Sequence, residues 1–297
     1  MLCTAICLSA CGIGIGDEPP LVMAHRAAPS LWPENSRTAV QGSLEKGYPG
    51  IEIDLVLTSD HVPVVAHDPW IDPKYCERAD GSPFEERVLV SDLSLDELVS
   101  DYVCGGIADA DFPDAQVVAD TPMTLDDLIE LLRPHPNAWI QLDVKYEPGL
   151  TPEPEVYAEE ILSRWTAAEL PNPWYVSANI PELLTAFRSW MGERPLTAVL
   201  IYPRFPPDSN STTVALTTES LGALGIRDSL GAAKKAEADG IAWPFELIDW
   251  HAAEIARRDG MQVMVWTVND EAVLERFCSW PVDVLITDFP ERAPCLP

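Results

Sequence analysis

The chain has 297 residues, 47% hydrophobic and 23% charged, an ordinary globular composition that leaves one large domain or two smaller ones open. Its 19 lysines and arginines face 48 acids, a formal charge of −29 that excludes binding to a nucleic-acid backbone and demands a local cation wherever an anion is to be held. No apolar run is long enough for a membrane-spanning helix, which needs about 18 residues.

Residues 1–20 are small or apolar as far as Asp17, and Leu8-Ser9-Ala10-Cys11 resembles the lipobox of bacterial lipoproteins. On that reading 1–20 are signal and tether, and Cys11 is the acylated residue. The protein is then expected in the bacterial cell envelope, periplasmic or membrane-anchored through this lipid alone, with secretion as the alternative. Once Cys3 and Cys7 leave with the signal, four cysteines remain beside Cys11, an even count that suits an oxidising compartment. Proximity favours pairing Cys76 with Cys104 and Cys278 with Cys295, against buried free thiols.

From residue 21 onward, β-branched or apolar runs recur: 21–25, 50–58, 62–67, 139–145, 174–178, 196–202, 239–243, 261–268 and 282–288. Amphipathic stretches separate them at 36–46, 124–133, 154–168, 181–191, 246–259 and 270–279. Strands alternating with helices predict an α/β protein with a parallel sheet, and eight such units close a TIM-type (β/α)8 barrel. The surplus run is accounted for if 50–58 and 62–67 are joined by the short turn Ser59-Asp60-His61 instead of a helix. Residues 69–122 break the alternation. They carry two cysteines, several glycines and prolines, and one short helix expected over 94–101, and they read as a small insertion after the third run in a single barrel spanning 21–297. Residues 203–220 are a second irregular loop.

Function in such a barrel collects where strands end. The first run ends at His25-Arg26, the second carries Glu52 and Asp54, the third ends at His67-Asp68, and the fourth carries Asp143 and Lys145. Glu52 and Asp54 are two apart on a strand and leave the same face, while Ile51, Ile53 and Leu55 point outward. Gln141, Asp143 and Lys145 repeat the pattern. Inward carboxylates need a compensating cation. Three oxygen donors without a nearby cysteine suit one hard divalent ion, Ca²⁺ or Mg²⁺, against the alternative of a salt-bridge cluster with Arg26 and Lys145. His25 and His67 beside that ion suit acid and base roles, and the fixed cations suit phosphoryl oxygens. His61, His135 and His251 are read as surface residues.

These residues resemble the glycerophosphodiester phosphodiesterase family, which shares the barrel of the phosphatidylinositol-specific phospholipases C. The matching motifs are His25-Arg26, Pro33-Glu34-Asn35, Glu52-x-Asp54, Thr58-x-Asp60, Val64-Val65-x-His67-Asp68, Val265-Trp266-Thr267-Val268-Asn269 and Thr287-Asp288-x-Pro290. The resemblance implies His25 and His67 as the catalytic pair, Glu52, Asp54 and Asp143 as metal ligands, Arg26 and Lys145 as phosphate-binding cations, and Trp266 as a pocket wall. Glu34 is expected to orient Arg26 or His25, and Asn35 to cap the helix starting near Ser36. Three departures stand out: Asp143 replaces the family's glutamate, Ala27 replaces the glycine after His-Arg, and Ser177-Ala178-Asn179 replaces a serine-phenylalanine-type motif. The implied activity is hydrolysis of small glycerophosphodiesters such as glycerophosphocholine to sn-glycerol 3-phosphate and an alcohol. The rivals are a lysophospholipase D or sphingomyelinase-D-like enzyme, which a long apolar groove beside Trp70 and Trp266 would favour, and a catalytically silent lipoprotein that binds phosphodiesters.

Overall fold

The computed structural model describes residues 19–201 and 229–297. The lipobox-like run with Cys11 and the loop 203–220 lie outside the described residues. Every run expected to be a strand contains one. They are β1 (Leu21–Ala24), β2 (Gly50–Leu57), β3 (Pro63–Val65), then, after the four short strands of the insertion, β8 (Trp139–Val144), β9 (Trp174–Ala178), β10 (Ala198–Ile201), β11 (Gly240–Pro244), β12 (Gln262–Trp266) and β13 (Val284–Thr287). Hydrogen bonding runs β1-β13-β12-β11-β10-β9-β8-β2, all parallel, and β2 returns to β1, so eight strands form a closed barrel. The surplus strand β3 folds back antiparallel on the far half of β2, pairing Leu55 with Val65.

The helices start where small polar side chains can satisfy their free N–H groups. Ser36 accepts from Ala39 N at 3.0 Å to open α1 (Arg37–Lys46), and Gly47, at φ +74°, closes it. Thr124 and Asp127 form a reciprocal capping box on α3 (Leu125–Leu132). The outer layer continues with α4 (Pro154–Ala167), α5 (Pro181–Met191), the helical residues 229–235 as α6, α7 (Trp250–Arg258) and α8 (Glu271–Phe277). The helix expected from 246 begins later. A 3-10 turn at Phe245–Leu247 comes first, and Asp249 then caps α7.

Alternation along each strand sorts the core into two shells. Ile51, Ile53 and Leu55 face outward and pack with Leu125, Leu128 and Ile140 against the helices. Inside the barrel, Met23, Tyr175, Val199, Ala242, Met264, Val284 and Ile286 fill the interior as a separate apolar cluster. Burying each large aliphatic side chain stabilises the fold by about 2 kcal/mol, and the inner cluster closes the floor beneath the mouth. No helix among the described residues is long and apolar enough to cross a membrane.

The segment 69–122 is more ordered than its composition suggests. The expected helix is present as α2 (Leu95–Asp101), with Ser94 and Glu97 as its capping box. Two antiparallel ribbons were not expected: β4 (Trp70–Ile71) pairs β6 (Val88–Leu89), and β5 (Cys76–Arg78) pairs β7 (Tyr102–Cys104). Strands of two or three residues are too short to show a period of two. Cys76 and Cys104 face each other in this register and are bonded, and Cys278 is bonded to Cys295. Ile71, Val90, Leu98 and Tyr102 form a third small core against Val56 and Val64.

Candidate active site

Register builds the site. Glu52 lies level with Gln141, and Asp54 with Asp143, while Asp143 lies level with Ser177 on the next strand. All these side chains point inward at the C-terminal end of the barrel. Glu52, Asp54 and Asp143 are buried and offer carboxylate oxygens that all lie within 4.8 Å of one another. The turn after β1 closes over them. Arg26 donates its backbone N–H to Glu52 Oε2 at 2.7 Å and a guanidinium N–H to Glu34 at 2.9 Å, while its Nε lies 3.5 Å from Asp54. Lys145, just past β8, places Nζ 2.9 Å from Asp54 Oδ1 and also binds Asp143.

The two carboxylates of β2 are driven apart electrostatically. Burial, then the charges of Asp54 and Asp143, push the Glu52 carboxyl well above the usual range, against Lys145 and the Arg26 N–H. Burial acts on Asp54 in the same sense, but Lys145, His67, Arg26 and His25 outweigh it and hold that carboxyl far below the usual range. Three buried carboxylates thus face Lys145 and an Arg26 that is shared with Glu34, and negative charge is left over in a water-poor mouth. A hard divalent cation fits this donor set, since oxygen ligands and uncompensated charge are what such an ion requires.

His25 Nδ1 lies 2.6 Å from Asp288 Oδ1. Burial raises the Asp288 carboxyl, but hydrogen bonds from His25 and Asn269 more than offset this and keep it below its usual range; an ionised carboxylate only accepts, so Nδ1 carries the proton and Nε2 is the working nitrogen. Nε2 is 4.0 Å from Glu52 Oε2, on the side of the acid cluster. Asn269 locks Asp288 by donating Nδ2–H to Oδ2 at 2.6 Å and accepting from the Asp288 N–H at 3.0 Å. His67, on the turn after β3, is held by Asp68 at 2.9 Å and is about one-third exposed.

The structure therefore brings together His25, Arg26, Glu34, Glu52, Asp54, Asp143 and Lys145, with His67 at the rim. Glu34 binds Arg26, not His25. Asn35 does not cap α1. That role falls to Ser36, while Asn35 sits at φ +54° and clamps Asp54, donating Nδ2–H to Oδ2 at 2.7 Å and accepting its N–H at 3.2 Å. Trp266 ends β12, packed on the interior cluster. The shorter Asp143 is held in place by Ser177, whose hydroxyl donates to Oδ1 at 2.9 Å and accepts from Gln141 at 2.8 Å; Gln141 accepts in turn from Tyr175. Sequence reasoning gave Asp288, Asn269 and Ser177 no role, although all three stand in the motifs quoted above.

An acid triad, two imidazoles and two cations gathered at the C-terminal mouth of a (β/α)8 barrel define an enzyme of the barrel class. The comparison of sequences gives the family: this chain belongs to the glycerophosphoryl diester phosphodiesterase family, whose model matches residues 25–292. It is 22% identical over 272 residues to a glycerophosphodiester phosphodiesterase of Bacillus altitudinis, covering 92% of this chain and 96% of that one. Identity to one from Arabidopsis thaliana is 27% over 282 residues, or 92% and 72% of the two chains. Among solved structures, a putative glycerophosphoryl diester phosphodiesterase from Silicibacter pomeroyi superposes with a TM-score of 0.80 at 20% identity, covering 95% and 94%. An Oleispira antarctica phosphodiesterase, solved with its product sn-glycerol-3-phosphate, gives 0.69 at 19% identity, covering 93% and 95%. These likenesses establish the fold.

Proposed function

We propose that the protein hydrolyses small glycerophosphodiesters, glycerophosphocholine and glycerophosphoethanolamine among them, to sn-glycerol 3-phosphate and an alcohol, with one divalent ion, Ca²⁺ or Mg²⁺, held by Glu52, Asp54 and Asp143. The observation that carries this reading is the buried triad of carboxylates with His25 Nε2 beside it. An ion in that place supplies Lewis-acid stabilisation of charge on phosphoryl oxygen.

The chain's own residues do the rest. Arg26, fixed by Glu34, and Lys145, fixed by Asp54 and Asp143, present cations that match the anionic diester and favour the extra charge of its transition state. An oxygen–phosphorus bond forms as the bond to the departing alcohol breaks. One of His25 and His67 takes the proton of the attacking oxygen, and the other delivers a proton to the leaving oxygen. Asp288 keeps His25 in the tautomer that leaves Nε2 free for this transfer. The reading extends to location: the lipobox-like run at Cys11 and the two disulfides support an oxidising cell-envelope setting.

The test is release of glycerol 3-phosphate from glycerophosphocholine with Ca²⁺, with Mg²⁺ and with excess chelator. Turnover that the chelator abolishes and one ion restores is expected. Binding of the diester without turnover under any of these conditions would overturn the assignment in favour of a silent binding protein.

A further inference from the structure

Tyr175 lies in the apolar interior of the barrel with Met23, Val199, Ala242, Met264 and Val284, and nothing in that packing calls for a hydroxyl. We propose, resting on the metal-dependent reading above, that Tyr175 and Gln141 are positioning residues of the ion site: through Ser177 they hold Asp143 in the orientation that binds the ion.

Strand register sets the inward side chains in two rows, because residues two apart on a strand share a face. Asp54, Asp143 and Ser177 stand in register nearer the mouth, and Glu52, Gln141 and Tyr175 stand in register below them. Gln141, Ser177 and Tyr175 are almost wholly buried, so their polar atoms depend on one another for partners. Hydrogen bonds climb from the lower row to the upper. The Tyr175 hydroxyl donates to Gln141 Oε1 at 2.9 Å, Gln141 Nε2 donates to Ser177 Oγ at 2.8 Å, and the Ser177 hydroxyl donates to Asp143 Oδ1 at 2.9 Å.

The direction of this chain of donors follows from its upper end. As a carboxylate Asp143 only accepts, so the single hydrogen of the Ser177 hydroxyl goes to it. Ser177 Oγ must then accept from Gln141, which leaves the Gln141 carbonyl to accept from Tyr175. Tyr175 suits that place. Burial, then the charges of Glu52 and Asp143, push its phenol well above the usual range, so it keeps its proton, and the competing acceptor, Met23 Sδ at 2.8 Å, is a weak one. With the amide reversed, Gln141 would accept from Ser177 and the hydroxyl would turn its lone pairs on Asp143. The hydroxyl of Tyr175 selects against that arrangement. The selection matters because both oxygens of Asp143 are engaged, Oδ1 by Ser177 and Oδ2 by Lys145, so the lone pairs left for an ion have a set aim. Neighbours that orient a ligand in this way set the affinity for the ion.

Calorimetric titration of the chelator-stripped full chain with Mg²⁺ and with Ca²⁺ reads the effect without turnover. Tyr175→Phe, which keeps the ring, is expected to weaken the tighter-bound ion about three- to tenfold, and Ser177→Ala about tenfold. The double variant is expected to bind no more weakly than Ser177→Ala alone, since Tyr175 acts through that hydroxyl. Thermal melts in chelator separate packing from positioning: a tyrosine that merely filled the interior would change the melt and leave the affinity alone. Gln141→Met, which keeps the length of the side chain but offers no amide, should match Ser177→Ala in affinity, and it gives the same test should Tyr175→Phe not fold. Affinity unchanged by Tyr175→Phe or by Gln141→Met, or losses that multiply in the double variant, would overturn the positioning role alone. Binding of neither ion by the unsubstituted chain would overturn the metal-dependent reading together with it.

Discussion

On the β1–β2–β8 side of the mouth, the buried carboxylates of Glu52, Asp54 and Asp143 and the partly buried Arg26 and Lys145 fix one another by charge, with Asn35, Ser177 and Asp288 as neutral or ionic props. On the insertion side, the wall over a cavity beside His67 is held by a disulfide, two short ribbons and a small apolar core. The three carboxylates thus stand on strands that cannot move without unpairing buried charge, and His25 and His67 on the turns that follow β1 and β3. The cavity wall stands in part on a segment with ribbons of its own, outside the barrel strands.

The largest effect expected from breaking the barrel side is catalytic. His25→Ala and His67→Ala should each lower kcat by a factor of about 10² to 10⁴ with an unchanged melting curve, since positioned proton transfer is worth that much. Steady-state release of glycerol 3-phosphate, with a thermal melt of each variant, measures both sides of the claim. Near-normal turnover in both variants would remove the imidazoles from the mechanism.

Next in size is the loss of buried countercharge. Lys145→Met leaves Asp54 and Asp143 without their ammonium, and breaking one partner out of a buried ion cluster destabilises by about 3–5 kcal/mol. A urea titration in excess chelator should show the midpoint falling accordingly. Saturating divalent ion should recover part of the loss in the variant, because it restores positive charge to the same oxygens. A variant as stable as the parent in chelator would mean that the triad is already neutral without Lys145.

On the insertion side the matching break is Cys76→Ser with Cys104→Ser. The bond closes a 28-residue separation, for which chain entropy predicts about 3.5 kcal/mol. The loss should be local. Hydrogen exchange is expected to accelerate across 69–122 while the amides of β2 and β8 keep their protection. Uniform acceleration over the barrel strands would show that the two regions unfold as one, and would erase the contrast drawn between them.

Much of this division was legible in the sequence, for reasons that individual residues make clear. Glu52 and Asp54 could be turned inward because a strand alternates faces and Ile51, Ile53 and Leu55 had to go outward. Asp288 could not be joined to His25 by any local rule, because the two are 263 residues apart and meet only when the barrel closes through β1 and β13. Asn35 misled for the opposite reason. It stands just before the cap position of a helix, and asparagine is a common cap, yet its left-handed backbone turns the side chain to Asp54 and leaves Ser36, the residue next to Arg37, to cap. The ribbons of 69–122 were illegible although Cys76 was expected to meet Cys104, because strands of two or three residues carry no periodic pattern.

The smallest prediction concerns the turn that carries His25. Arg26, Ala27 and Ala28 lie at φ +46°, +62° and +69°, and Ala27 occupies the position where the family carries glycine. Holding an alanine in the left-handed region costs about 1–2 kcal/mol, which Ala27→Gly would relieve. Against this, the substitution removes a fully buried methyl group, worth about 0.8 kcal/mol, and lets the unfolded chain explore more conformations. The terms nearly cancel, so the urea midpoint should shift by the equivalent of about 0.5 kcal/mol or less in either direction, with kcat unchanged. A clear loss of stability would mean that the methyl's packing against the outer core outweighs the strain. The turn would then be held open by the barrel side, as the buried charges are, and not merely tolerated by it.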